Sequence, residues 1–97
     1  MPFSSSAARP FNQDEVEASP PNQTGVYGLY SQGQWIYIGS GDIRERLLSH
    51  LRGENEADAC ILAREPTHWV DEVTSNYRGR EGVLIREFKP PCNERGA

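Results

Sequence analysis

Between residues 25 and 39 two short runs of β-branched and aromatic residues flank Ser31-Gln32-Gly33-Gln34. They are Gly25-Val26-Tyr27-Gly28-Leu29-Tyr30 and Trp35-Ile36-Tyr37-Ile38-Gly39. This pattern predicts a β-hairpin. A three-residue loop from Ser31 to Gly33, with Gly33 at the left-handed position, is favoured over a two-residue Gln32-Gly33 loop. That loop pairs Tyr30 with Gln34 and sets Tyr27 directly opposite Tyr37. Side chains alternate along strands, so Val26, Tyr30, Ile36 and Ile38 share one largely apolar face. The two phenols lie together on the other.

The period then changes from two to that of a helix. Asp42-Ile43-Arg44-Glu45 is a capping-box pattern, and Ile43, Leu47, Leu48 and Leu51 form an apolar stripe that ends before Gly53. Residues 55–64 predict a second, shorter helix, and residues 68–74 a third strand. A last helix is expected from about Arg78 to Lys89, stopped by Pro90-Pro91. Ahead of the hairpin, residues 1–23 are rich in Ser, Pro, Asn and Gln and are expected to form a flexible leader. Within it a short turn capped near Asn12 would dock Phe11 and Val16. Residues 24–97 would be the domain proper.

Composition narrows the class. Ninety-seven residues suffice for one compact domain, and 36% hydrophobic with 25% charged residues is globular rather than disordered. No apolar run approaches the ~20 residues that span a bilayer, and no export signal opens the chain, so a cytoplasmic protein is expected. On the same compartment grounds Cys60 and Cys92 are expected as reduced thiols, and with only two histidines a structural zinc site is not. The net charge of −4 opposes strong nonspecific affinity for nucleic acid. Basic residues nevertheless gather at Arg44, Arg46 and Arg52, and again at Arg78, Arg80, Arg86 and Lys89.

Three features carry candidate chemistry. Tyr27 and Tyr37 share a face of the hairpin, although strands favour tyrosine for packing alone. Arg46 and His50, four apart, are neighbours on the first helix, where they could simply form its solvated edge. Arg44 lies nearer the centre of the apolar stripe, where its stem would be expected to snorkel. Glu81 aligns with Leu84, Ile85 and Phe88, and a carboxylate on an apolar stripe is costly unless it binds a cation. Its placement near the helix start offers a simpler account, a favourable dipole interaction. Together these groups supply what one-metal phosphodiester hydrolysis needs. A carboxylate holds the metal, an arginine neutralises phosphate charge, and a phenol or imidazole handles the attacking water.

Gly25-Val26-Tyr27, followed ten residues later by Tyr37-Ile38-Gly39, resembles the paired signature of the GIY-YIG endonuclease superfamily. The resemblance covers roughly residues 24–94 and extends to Arg46, His50, Glu81 and the terminal Asn93. It implies an α+β fold, a three-stranded antiparallel sheet flanked by helices, and a metal-dependent endonuclease acting on DNA, or else on RNA or branched structures. It further implies that Tyr27, Tyr37, Arg46, His50 and Glu81 are catalytic and that Glu81 ligates Mg²⁺ or Mn²⁺. Arg46, Arg44 and Asn93 would contact the substrate, and Tyr27 would orient or deprotonate the water with Tyr37 and His50 in support. The stretch from Gly39 to Arg46 is one residue shorter than in the homing enzymes. No added DNA-binding domain is evident, so the domain would cut weakly, act on an unusual structure or depend on a protein partner supplying specificity. The alternative is a catalytically weak nuclease-fold module for nucleic-acid or protein interaction.

Overall fold

The computed structural model describes residues 8–93. Its elements run β1 (Arg9–Pro10), α1 (Gln13–Glu17), β2 (Thr24–Ser31), β3 (Gln34–Asp42), α2 (Ile43–Arg52), α3 (Asp58–Ala63), β4 (His68–Val73) and α4 (Tyr77–Phe88), closing on a 3₁₀ turn, Pro91–Asn93. The strands form one antiparallel sheet in the order β1-β4-β2-β3. The fold class is the expected α+β, but the sheet has four strands rather than three. The extra one comes from the segment expected to be a flexible leader. Arg9 pairs with Trp69 and Pro10 with His68, while α1, capped by Asn12, buries Val16 completely. Residues 9–17 are thus part of the sheet and core; residues 1–7 lie outside the described residues.

The hairpin differs from expectation in a way that matters for the site. Its loop is the two-residue Gln32-Gly33, with both residues at positive φ, and Ser31 pairs with Gln34. A β-bulge then lets Ile36 and Tyr37 together oppose Leu29, because the ladder steps from Tyr30↔Trp35 to Leu29↔Tyr37. The register therefore sets Tyr27 against Gly39, not Tyr37. The bulge also turns Ile36 to the same face as Tyr27, correcting its assignment to the opposite one.

Each face of the sheet carries its own core. On the first, α1, α2 and α3 cover Tyr27, Leu29, Ile36 and Trp69 with Val16, Ile43, Leu47 and Ile61. On the second, α4 covers Val26 and Ile38 with Leu84, Ile85 and Phe88, and Phe88 stacks on Trp35 with ring centroids 5.0 Å apart. Helix α2 begins as its sequence dictates, with the Asp42 carboxylate accepting from Glu45 N and the left-handed Gly53 closing the end. An ion pair from Arg80 Nε to Glu72 Oε2, 2.9 Å, ties α4 to β4. Among the described residues no helix is long and apolar enough to cross a membrane.

The two cysteines are not free thiols. Cys60 and Cys92 form a disulfide, with Cα atoms 5.6 Å apart, that joins α3 to the closing turn. Compartment arguments say nothing about distance, and the fold brings together two residues 32 apart in the chain. Next to Cys92, Asn93 donates from Nδ2 to the Ile38 carbonyl and accepts at Oδ1 from the Ile38 N–H, each at 2.8 Å. Strand β3 lies at the sheet edge, and this side-chain amide pairs with it as another strand would. Asn93, expected to contact substrate, therefore has both ends of its amide occupied by the fold.

Candidate active site

Two glycines explain why the hairpin brings its chemistry together. At Gly25 a side chain would collide with the Glu72 carbonyl of β4, so close strand approach requires glycine. At Gly39 a methyl group would overlap the Tyr27 phenol oxygen. The Tyr27 ring thus lies across Gly39 toward the edge strand, in space that only glycine leaves open.

Around that phenol the first face gathers three rings. Tyr27 and Tyr37 are diagonal neighbours with centroids 6.4 Å apart, and the His50 ring lies 5.6 Å from Tyr27 and 5.1 Å from Tyr37. Tyr27 and His50 are fully buried; Tyr37 is half-buried. The Tyr27 oxygen sits 2.7 Å from His50 Nε2, and the half-buried Arg46, one turn before His50, is near enough for its charge to act on the phenol. Burial pushes the Tyr27 phenol well above the ordinary tyrosine range. The neighbouring Tyr37 adds to this, Arg46 opposes it, and Glu81 adds again.

Glu81 arrives from the opposite face. Helix α4 starts at Tyr77, so Glu81 lies beyond its first turn and the helix dipole does not account for it. Its Oε1 instead accepts from Ser40 Oγ at 2.7 Å. Ser40 follows Gly39, the residue over which Tyr27 lies, and the Glu81 charge is felt at the phenol. The site is thus built around the end of β3, with a carboxylate on one side and phenols, imidazole and guanidinium on the other. Arg44 is half-buried, and its Nε is buried without a hydrogen-bond partner. A donor left this way costs about 1–3 kcal/mol, which an anion would offset.

One residue of this network escaped the sequence. Asp58, 2% exposed, accepts at Oδ1 from His50 Nδ1 at 2.6 Å, and its Oδ2 takes Asn55 N at 2.8 Å. It sits in the acidic run Glu54-Asn55-Glu56-Ala57-Asp58, which reads as solvated, and the break after α2 hides its spacing from His50. No sequence signal marked it: the Asp58 carboxylate turns back to the Asn55 N–H, but the helix cap falls at Ala57 with no side-chain hydrogen bond.

Burial lowers the His50 pKa, the Asp58 hydrogen bond and charge oppose this, and Arg46 adds to the lowering. Below its ordinary value of 6.5, the unfolded chain binds the proton that folded His50 refuses. This contribution to stability is full above pH 6.5 and is lost as pH falls toward the depressed folded value. Thermal unfolding should therefore show Tm falling on acidification through that window, less steeply in His50→Gln. Parallel profiles for the two proteins would refute it.

A divalent cation fits what is present. Among the described residues no three His, Cys, Asp or Glu side chains gather into a metal-binding group, so a site needing several nitrogen or sulfur ligands is not offered. Glu81 supplies a single carboxylate, oriented by Ser40 through one oxygen. An ion that keeps most of its waters and takes its remaining ligands from phosphate suits such a donor, as Mg²⁺ does.

No protein-family model and no curated protein matches the chain. Solved structures do. The N-terminal GIY-YIG endonuclease domain of UvrC from Thermotoga maritima, as a tyrosine-to-phenylalanine variant bound to its catalytic divalent cation, is 30% identical. The match covers 77% of this chain and 87% of that one, with a TM-score of 0.63. The same domain bound to magnesium is 29% identical over 76% of this chain and 86% of that one, at a TM-score of 0.64. With the hairpin signature, the buried phenol and the carboxylate of α4 in one place, the chain belongs to the GIY-YIG endonuclease superfamily.

Proposed function

We propose that the protein is a divalent-metal-dependent endonuclease that hydrolyses phosphodiester bonds in DNA, with RNA and branched structures as the other substrates to test. The observation that carries this is the meeting of Tyr27, Arg46 and His50 with Glu81 around the end of β3. The UvrC domain was solved with a catalytic divalent cation, and Glu81 is the residue that would hold Mg²⁺ or Mn²⁺ here. Bound there, the cation supplies charge stabilisation at the phosphate and the leaving oxygen.

The remaining steps belong to the chain's own side chains. Arg46 binds the scissile phosphate, and Arg44, on the same helix, adds positive charge for the substrate. Tyr27 orients the attacking water beside that phosphate. Tyr37 packs against the His50 ring and limits its movement. Asn93 acts through the backbone of β3 rather than on the substrate.

A net charge of −4 favours a second reading, a nuclease-fold module that binds a protein or nucleic acid with little turnover. A protein partner supplying specificity would serve either reading, in the cytoplasm or elsewhere. Plasmid and branched DNA incubated with Mg²⁺ or Mn²⁺, beside Glu81→Ala and Arg46→Ala, separates the two. The enzyme reading expects cleavage by the wild type and a loss of about 10²-fold or more in Arg46→Ala. Equal cleavage by all three proteins, or none by the wild type, would overturn it.

A further inference from the structure

The hydrogen bonds behind Tyr27 run in one direction. Asp58 Oδ2 accepts from Asn55 N at 2.8 Å and from Asn55 Nδ2 at 3.2 Å, and Oδ1 accepts from His50 Nδ1 at 2.6 Å. A carboxylate only accepts, so the neutral His50 ring, which burial favours, carries its proton on Nδ1. Nε2 is then a lone pair, and the Tyr27 hydroxyl 2.7 Å away must donate to it. All three residues are buried, Asp58 at 2% and the other two at 0% exposure, so bulk water does not substitute for any of these bonds. The charged and titratable groups around His50 are Asp58 from α3, Arg46 from α2, Tyr27 from β2 and Tyr37 from β3.

We propose that Asp58 is a positioning residue that holds His50 in its Nδ1–H form, so that Nε2 takes the Tyr27 proton when Tyr27 takes one from the attacking water. This rests on the nuclease reading above. A phenol as buried as Tyr27 is a poor base unless its own proton has somewhere to go, and the Asp58–His50 pair provides that acceptor. In the step, one O–H bond of water breaks as an O–H bond forms at Tyr27 Oη. The original Tyr27 O–H bond breaks as an N–H bond forms at His50 Nε2. The water oxygen uses the freed electron pair to bond to phosphorus, the bond from phosphorus to the leaving oxygen breaks, and that oxygen takes a proton from bulk water. His50 then returns its proton to Tyr27 Oη as the Tyr27 hydroxyl gives its own proton to water. Asp58 stays a carboxylate throughout and stabilises the imidazolium.

Asp58→Asn tests the assignment with almost no change of shape. The Asn55 N–H still needs an acceptor, so the new side-chain oxygen should face it and the new NH₂ should face His50 Nδ1. That forces His50 to the Nε2–H form and leaves Tyr27 without an acceptor. ¹⁵N NMR of the ring nitrogens should show Nδ1–H in the wild type and Nε2–H in the variant. The kcat for DNA cleavage should fall by about 10²-fold or more, with KM nearly unchanged and the acid limb of the pH profile removed. A wild-type protein with Nε2–H would overturn the role of Asp58 alone, and it can be read even if the variant fails to fold. A tautomer that switches without loss of kcat would overturn it too. A wild type that holds Nδ1–H and cleaves nothing would instead overturn the nuclease reading.

Discussion

Glu81→Gln should remove cleavage while leaving the fold intact. The amide oxygen of glutamine can still accept from Ser40 Oγ, so the contact that seats residue 81 against β3 survives. Residue 81 is half-buried at a helix surface, where an isosteric change of this kind is worth about 0.5 kcal/mol or less in stability. The negative charge that would hold the cation is lost entirely. Metal stabilisation of a developing phosphorane is worth several kcal/mol, and each 1.36 kcal/mol is tenfold in rate, so kcat should drop by about 10³-fold. Retained cleavage would remove Glu81 from the site. A large fall in Tm would show that the carboxylate is structural.

The parts of the fold that were legible are those set by local chemistry. Asp42, Glu45 and Gly53 mark the two ends of α2, and its buried residues follow the stripe of Ile43, Leu47 and Leu48. The alignment of Glu81 with Leu84, Ile85 and Phe88 was also readable, since those three do pack on Val26 and Ile38. What stayed hidden depends on pairing between distant segments. The bulge at Ile36 and Tyr37 inserts one residue into the ladder, and alternation counted from the loop cannot register it. The strand Arg9–Pro10 is too short to show a period, and Val16 is a lone apolar residue in a polar helix.

The site follows the same division. Arg46 and His50 are neighbours by helix geometry, and the shared face of Tyr27 and Tyr37 survived the error in register because the bulge undoes the one-residue shift of the tighter loop and returns Tyr37 to the side of Tyr27. The four-apart spacing did not reveal that His50 is fully buried instead of edging the helix, since burial depends on α3 packing over it. Nor did it show that Asn93 completes the sheet edge, which requires the closing turn to be fastened beside β3.

That fastening makes the Cys60–Cys92 disulfide the largest expected contributor to stability among single covalent features. It closes a loop of 32 residues between α3 and the closing turn. Loop-closure entropy for a span of that size gives about 3–4 kcal/mol of stabilisation. In a domain this small each 1 kcal/mol moves Tm by roughly 4–8 °C. Cys60→Ser, or reduction of the wild type, should therefore lower Tm by about 15–25 °C. The loss should be uneven through the molecule. Cys92 adjoins Asn93, whose amide protects the Ile38 N–H on an otherwise open edge, so hydrogen exchange at Ile38 should accelerate first. Exchange in β2, covered on both sides by β3 and β4, should change only as much as global stability does. A Tm shift of a few degrees, or uniform acceleration at every strand, would mean that packing alone holds the closing turn in place.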